Sequence, residues 1–205
     1  MQSKKLFFMV FLLVSTFGAY GQIIDVEVTA QVSEIDDMDN VFGEAVGVDD
    51  ELLLTYSFDT DADNLESGDR ATYFMDNLSM QVNLSSYEFQ SQAITIIVAN
   101  NRFGEDFYMV TGTENFPVNG LPTFEYTMYL HLGDASSQVI DNTSINQNID
   151  LLEGWTSANI YLQGHDRGSI FYITSDVTDI QIVPEPTTIA LMGSGVWGIL
   201  RKNRA

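Results

Sequence analysis

The chain has 205 residues, with 29 Asp and Glu against 8 Lys and Arg, and its formal net charge is -21. Such a surface repels a nucleic-acid duplex, so the charge excludes a simple nucleic-acid-binding protein. Cysteine is absent, which excludes disulfides, thiolate metal sites and cysteine nucleophiles, while 45% hydrophobic residues are typical of a chain that folds.

The few cations lie mainly at the two ends of the chain. Residues 22–183 contain every acid except Glu185, which is 28, and only 3 of the 8 cations, all arginine, so their net charge is -25. A body of this charge favours cations, neutral glycans or basic surfaces as partners.

Residues 1–21 have the pattern of a secretory signal. Two lysines at the start precede a short apolar run, and the small residues Ala19 and Gly21 fit the small-x-small rule of signal peptidase. The run is well short of the ~20 residues that span a bilayer, which favours a cleaved signal over an anchor. We predict export, with cleavage before Gln22.

Residues 22–182 form a single predicted domain of antiparallel strands. Apolar and polar residues alternate in several runs, a pattern typical of strands with one covered face. The clearest runs are Ile24 to Val32, Leu52 to Phe58, Leu78 to Leu84 and Phe124 to Leu132. Further strands are predicted at 93–99, 107–111, 158–163 and 169–183. With eight to ten strands and no helical periodicity, we expect an all-β domain, a sandwich or jelly roll.

Asp59, Asp61 and Asp63 alternate in a turn that follows the second predicted strand. Alternating carboxylates are hard oxygen ligands of the kind that calcium needs, although Asn64 and Arg70 stand where an EF-hand has its glycine and its bidentate glutamate. An EF-hand is therefore excluded, and these three carboxylates are the candidate ligands of a different calcium loop. The alternative is that the acids are solvated turn residues that keep the protein soluble.

The sequence contains no motif that indicates catalysis. His131 is out of phase with the inward residues of its strand, and His165 lies in a glycine-flanked turn typical of a hairpin tip. Neither histidine has the spaced partners of a zinc site, and no serine elbow accompanies them. A pair of carboxylates could still serve a glycosidase, but in so acidic a chain their presence is not informative. We expect no enzyme activity, and no cofactor other than calcium.

Aromatic side chains are the other candidates for binding, because Tyr and Trp rings stack on sugar rings. Trp155, Tyr161, Tyr172, Tyr108 and Tyr129 would serve this purpose if they lay exposed on one face of the sheet. The alternative is packing in the core or across strands. The sequence leaves both open.

The C-terminal residues 183–205 form a tripartite tail. Pro184, Glu185 and Pro186 come first, an apolar stretch at 188–200 follows, and the basic residues Arg201, Lys202 and Arg204 come last. Proline cannot continue a strand ladder, so the tripeptide ends the last strand. The apolar stretch would form a helix of about 20 Å, shorter than the ~30 Å hydrocarbon core. We predict a short transmembrane helix with its cations on the cytoplasmic side.

This order of a Val-Pro-Glu-Pro sequence, a short glycine-rich apolar helix and a basic end resembles the PEP-CTERM sorting signal of Gram-negative bacteria. The resemblance implies that an exosortase recognises and processes Pro184, Glu185 and Pro186. It further implies export to the surface or extracellular matrix of a cell that produces exopolysaccharide. Signal peptidase and exosortase would then be partners during export, with transient insertion of the C-terminal helix in the inner membrane.

Together these patterns lead to one interpretation and two alternatives. The interpretation is an exported, non-catalytic protein of the cell surface or biofilm matrix, in contact with exopolysaccharide or other matrix components. The alternatives are a calcium-dependent or glycan-binding module, and a secreted polysaccharide hydrolase. An exposed aromatic row would favour binding, whereas a close carboxylate pair with one raised pKa in a cleft would favour catalysis.

Overall fold

The computed structural model describes residues 22–115, 118, 121, 125–145, 153–166 and 169–183. In these ranges the chain forms nine strands and no helix, so the all-β prediction is confirmed. The strands are β1 (Ile23–Asp37), β2 (Glu51–Asp59), β3 (Arg70–Met75), β4 (Met80–Leu84), β5 (Tyr87–Arg102), β6 (Glu105–Asn115), β7 (Glu125–Asp134), β8 (Ser157–Asp166) and β9 (Ser169–Val183).

Eight of these strands close into an antiparallel barrel in the order β1-β2-β4-β5-β6-β7-β8-β9, and β9 pairs back with β1. The ninth, β3, pairs with the second half of β5, beside β4. The predicted sandwich or jelly roll is therefore corrected to a barrel. The reason is the length of β5, which pairs with β4 through residues 87–90 and with β6 through 91–102, and so joins the two halves into one sheet.

The barrel interior is filled by the side chains that the alternating pattern places inward. In β2 every second residue is buried, namely Leu52, Leu54, Tyr56 and Phe58. The inward residues of β1, β4 and β7 follow the same period, and together they form one apolar core cluster. Their burial removes apolar surface from water, which is the main favourable contribution to folding.

The sequence pattern missed one strand and shortened several others, β5 most of all. In β3 the outward residue Phe74 is apolar and 49% exposed, so the run from Arg70 to Met75 does not alternate. In β5 the residues 96–99 are all buried and form an apolar run. The sequence pattern therefore identified only the middle of this 16-residue strand. In β3 the burial alternates but the residue types do not, and in β5 the burial itself does not alternate. Both depart from the pattern of apolar inward and polar outward residues.

Strands β1 and β9 form a long pair that is interrupted by two register shifts, one between Thr29 and Ala30 and one between Val32 and Glu34. At the second shift, the Ser33 hydroxyl donates to the Thr174 carbonyl at 3.2 Å. Bulges of this kind bend a strand and increase its twist, as closure of a barrel requires.

A loop closes each end of the barrel. At one end, Phe42 from the β1–β2 loop is buried and meets the rings of Tyr87 and Phe171 edge to face, at centroid distances of 5.2 and 4.6 Å. At the other end, the loop after β7 buries Ile140 and Ile145. These loops extend the core beyond the strands and exclude water from the barrel ends.

Gly164 of β8 provides the space for the ring of Phe171, which is fully buried. A Cβ at Gly164 would lie 2.2 Å from Cε1 of that ring. We therefore expect Gly164→Ala to lower the free energy of unfolding in urea by about 1 to 3 kcal/mol, the usual effect of overpacking. In the control variant Gly47→Ala the nearest atom to the new Cβ is 3.9 Å away, and we expect little change. Equal stability of the two variants would contradict this packing.

Candidate functional site

The turn after β2 holds the three aspartates that the sequence proposes as calcium ligands. A carboxylate oxygen of Asp59 accepts the backbone N–H of Asp61 at 2.9 Å, so this side chain stabilises its own turn. Further along, the Asn64 side chain accepts N–H groups of Glu66 and Thr72. The loop is thus organised by bonds between side chains and backbone.

Within the described ranges, no group of three or more His, Asp and Glu side chains is placed to hold a metal ion. Asp59, Asp61 and Asp63 are therefore neighbours in the sequence that the structure does not assemble into a ligand cluster. Calcium binding by this turn gains no support from the geometry and stays a prediction.

Two other carboxylates, Asp106 and Asp134, are fully buried and face each other in register on β6 and β7. One oxygen of Asp106 accepts the N–H of Asn101 at 2.7 Å. Its other oxygen accepts the N–H groups of Val139 and Ile140, both at 2.9 Å. Asp106 therefore fastens the loop after β7 to the end of the barrel.

Asp134 stabilises the first turn of the same loop. One oxygen accepts the N–H of Ser136 at 2.8 Å, and the other accepts the Ser136 hydroxyl at 2.7 Å and the N–H of Gln138 at 2.9 Å. The N–H of Gln138, followed by the two groups of Ser136, holds the pKa of Asp134 below its ordinary value. A general acid needs a raised pKa, and the pKa of Asp134 is shifted in the opposite direction.

The outer face of β6 to β9 carries a second group of candidate residues. Phe107 and His131 stack with ring centroids 6.1 Å apart and ring planes 26° apart. Tyr129 and Tyr161, directly paired across β7 and β8, stack at 4.8 Å and 22°. Tyr172 on β9 is 43% exposed.

The structure therefore separates the five aromatic residues proposed from the sequence. Tyr129, Tyr161 and Tyr172 lie on one outer face, on neighbouring strands. Tyr172 is exposed, whereas Tyr129 and Tyr161 are half-buried and pack on each other across the strands, as the alternative expected. Tyr108 points into the barrel, where its hydroxyl meets that of Tyr56 at 3.1 Å, and Trp155 packs partly buried against the core. The outward phase of β6 and β7 in the sequence would have added Phe107 and His131 to the group.

His131 faces outward as predicted, but it is only partly exposed. Burial lowers its pKa, while the charge of Glu105 acts in the opposite direction. The lowered pKa favours the neutral imidazole. The other histidine, His165, lies in β8 paired with Ile170 of β9, close to the predicted hairpin turn; its side chain lies outside the described residues.

Both ends of the described chain leave the barrel at the same end, because Asp25 of β1 pairs with Val183 of β9. Gln22 is tied to the barrel by two hydrogen bonds, from its N–H to the Thr60 hydroxyl at 3.0 Å and to its carbonyl from the Thr60 N–H at 3.1 Å.

The other residues proposed for the transport signals lie outside the described ranges. They are Ala19 and Gly21, the tripeptide Pro184, Glu185 and Pro186, and the basic residues Arg201, Lys202 and Arg204. The signal helix expected within residues 1–21 and the predicted C-terminal transmembrane helix also fall there. In the described part of the chain, no helix is long and apolar enough to cross a membrane.

A family model described as PEP-CTERM protein-sorting motif matches residues 183–205. The resemblance identified from the tail is thereby confirmed, and the match begins at the last residue of β9. The motif indicates an exported protein with a C-terminal segment that an exosortase processes. No curated protein and no solved structure matches the chain.

The lowered pKa of Asp134 predicts how stability depends on pH. Because the folded-state pKa lies below the ordinary value of ~3.9, the carboxylate contributes stability above about pH 4 and loses it as pH falls through the lower folded value. We expect Asp134→Asn to be less stable than the wild type in urea at pH 7, with the difference narrowing below pH ~4.

Asp69→Asn is the matched control, since it removes the same charge from an exposed residue. We expect it to leave stability at pH 7 nearly unchanged. A difference between wild type and Asp134→Asn that stays constant across the pH range would contradict the assignment.

Proposed function

We propose, from the PEP-CTERM sorting motif that the chain carries at residues 183–205, that the barrel is the exported cargo of this tail and acts as a non-catalytic component of the cell surface or extracellular matrix. The motif is the observation that carries this proposal. In it, signal peptidase removes residues 1–21, and the exosortase acts at Pro184, Glu185 and Pro186 while the apolar segment lies in the inner membrane.

The position of the two chain ends supports this route. β1 begins at Ile23, one residue after the proposed cleavage point, so cleavage before Gln22 retains every strand of the barrel. At the other end, the tripeptide follows Val183 directly. The first and last described residues lie at the same end of the barrel. The N-terminal signal and the C-terminal tail can therefore engage one membrane while the barrel lies on its outer side.

The chemistry of the described carboxylates supports a role without catalysis. Asp106 and Asp134 are the close buried pair, and both oxygens of each accept hydrogen bonds from the protein itself. The pKa of Asp134 is lowered, where a glycosidase acid needs it raised. These groups stabilise a loop, and a role at the cell surface requires no catalysis by them.

Replacement of Pro184, Glu185 and Pro186 by alanine in the exosortase-containing host tests the sorting step. We expect the variant to be exported through the inner membrane but to accumulate there with its tail intact, because the exosortase no longer recognises it. Cell fractionation and the intact mass of the recovered protein measure both effects.

The matched control replaces Thr187 and Thr188 by alanine, two residues that directly follow the tripeptide. We expect this control to reach the surface with the same mass as the wild type. If the tripeptide variant also arrives at the surface in wild-type amount and with wild-type mass, the proposed sorting route is wrong.

A further inference from the structure

The outer face of β6 to β9 holds an aromatic band, defined as Phe107, His131, Tyr129, Tyr161 and Tyr172. Phe107 of β6 lies directly opposite Gly133 of β7. Tyr172 of β9 lies opposite Gln163 of β8, which in turn lies opposite Thr127 of β7. The band therefore crosses the sheet diagonally over about 25 Å, taking ~4.8 Å between strands and ~3.3 Å per residue.

A glycine allows one part of the band to lie close to the sheet. A Cβ at Gly133 would lie 2.8 Å from the Ser157 hydroxyl oxygen and 3.1 Å from Cε1 of His131, so the imidazole lies close over this glycine. Phe107, opposite Gly133, then stacks on the imidazole. Packing over Gly133 is a structural reason for the Phe107–His131 pair. It does not account for Tyr129, Tyr161 and Tyr172, which lie further along the diagonal.

The side chains around the band carry no positive charge. They are polar beside the tyrosines, whereas Met109 of β6 lies opposite His131 on the outer face. Strands β6 to β9 contain no lysine or arginine. Thr127, Gln163 and Thr174 lie beside the tyrosines on the outer face and offer hydroxyl and amide groups. Asn159, in register with His131, donates to Asp176 at 2.9 Å.

This composition distinguishes between classes of partner. Surfaces that bind proteins commonly combine aromatic residues with methionine and arginine. Met109 adjoins the band, but strands β6 to β9 contain no arginine. An anionic polymer would be repelled by a body of net charge -25. A neutral sugar chain needs what the band offers, namely ring surfaces for its C–H faces and uncharged hydrogen-bonding groups for its hydroxyls.

We infer that the aromatic band is a binding site for a neutral, linear polysaccharide of pyranose rings, with Tyr129, Tyr161 and Tyr172 as its stacking residues. The inference adds a ligand to the proposed surface role. Its test is a binding measurement on purified protein, so it does not depend on whether the C-terminal tail is processed as proposed.

Isothermal titration of the purified exported chain with cellohexaose and with mannohexaose tests the inference, and an oligogalacturonate of the same length serves as the anionic probe. We expect at least one neutral hexasaccharide to bind and the anionic probe not to bind. Absence of binding by both neutral probes would overturn the inference, as would equal binding of the anionic probe.

Two variants locate the site. Tyr161→Ala and Tyr172→Ala should each weaken binding by about tenfold, because each removes one stacking ring. Tyr161→Phe should retain most of the affinity, since it keeps the ring. Tyr172 is 43% exposed, so its variant keeps the test valid if Tyr161→Ala folds poorly.

Phe74→Ala is the matched control, because Phe74 is an aromatic residue, 49% exposed, on β3 and outside the band. It should leave the affinity unchanged. Equal loss in all variants, or no loss in the tyrosine variants, would overturn the assignment. Sedimentation of the wild type and of Tyr161→Ala measures whether the band joins two copies of the chain. A change of oligomeric state in the variant, without sugar binding by the wild type, would make the band such an interface and would also overturn the inference.

Discussion

The closed ends of the barrel depend on one kind of interaction, the hydrogen bond from a loop N–H to an aspartate at the end of a strand. Asp37 at the end of β1 accepts the N–H groups of Val41 and Phe42 at 2.7 and 2.9 Å, and thereby places the Phe42 ring over one barrel opening. Asp106 does the same for Val139 and Ile140 at the other opening. Charge-assisted bonds of this kind are about twice as strong as neutral ones.

This interaction gives part of the acidic composition a structural reason. Without cysteine the loops have no disulfides, and Arg70 with Glu66, at 3.3 Å, is the single ion pair in the described part of the chain. Backbone N–H groups take the place of cations as partners for the buried carboxylates. Most of the other described acids are exposed or half-buried, and they keep the net charge high, which favours solubility and neutral over anionic ligands.

The sequence predicted the strands better than it predicted their closure. Alternation alone located β2, β4 and most of β1 and β7, because each has one face against a single core. Closure depends on β5, whose two halves pair with different strands, and no local pattern in Tyr87–Arg102 records that change of partner.

The candidate functional residues also divide into those recognisable from local sequence and those that depend on the fold. The PEP-CTERM tail was recognisable because its order of residues is itself the signal. The role of Asp106 was not recognisable, since it depends on a loop more than 30 residues away in the sequence. The partners of Asp134 are local, in the turn that follows it, but its pairing with Asp106 depends on the fold. The aromatic band needed the register between strands, which brings Tyr129 and Tyr161 together across 32 residues of chain.

Amide hydrogen exchange, followed residue by residue by NMR, tests the role of the strand-end carboxylates most directly. We predict that Val41, Phe42, Val139 and Ile140 exchange as slowly as amides in the strands, although they lie in loops. In Asp106→Asn, Val139 and Ile140 should exchange faster while Val41 and Phe42 stay protected. Rapid exchange of all four amides in the wild type, or unchanged exchange of Val139 and Ile140 in the variant, would contradict this role of the carboxylates.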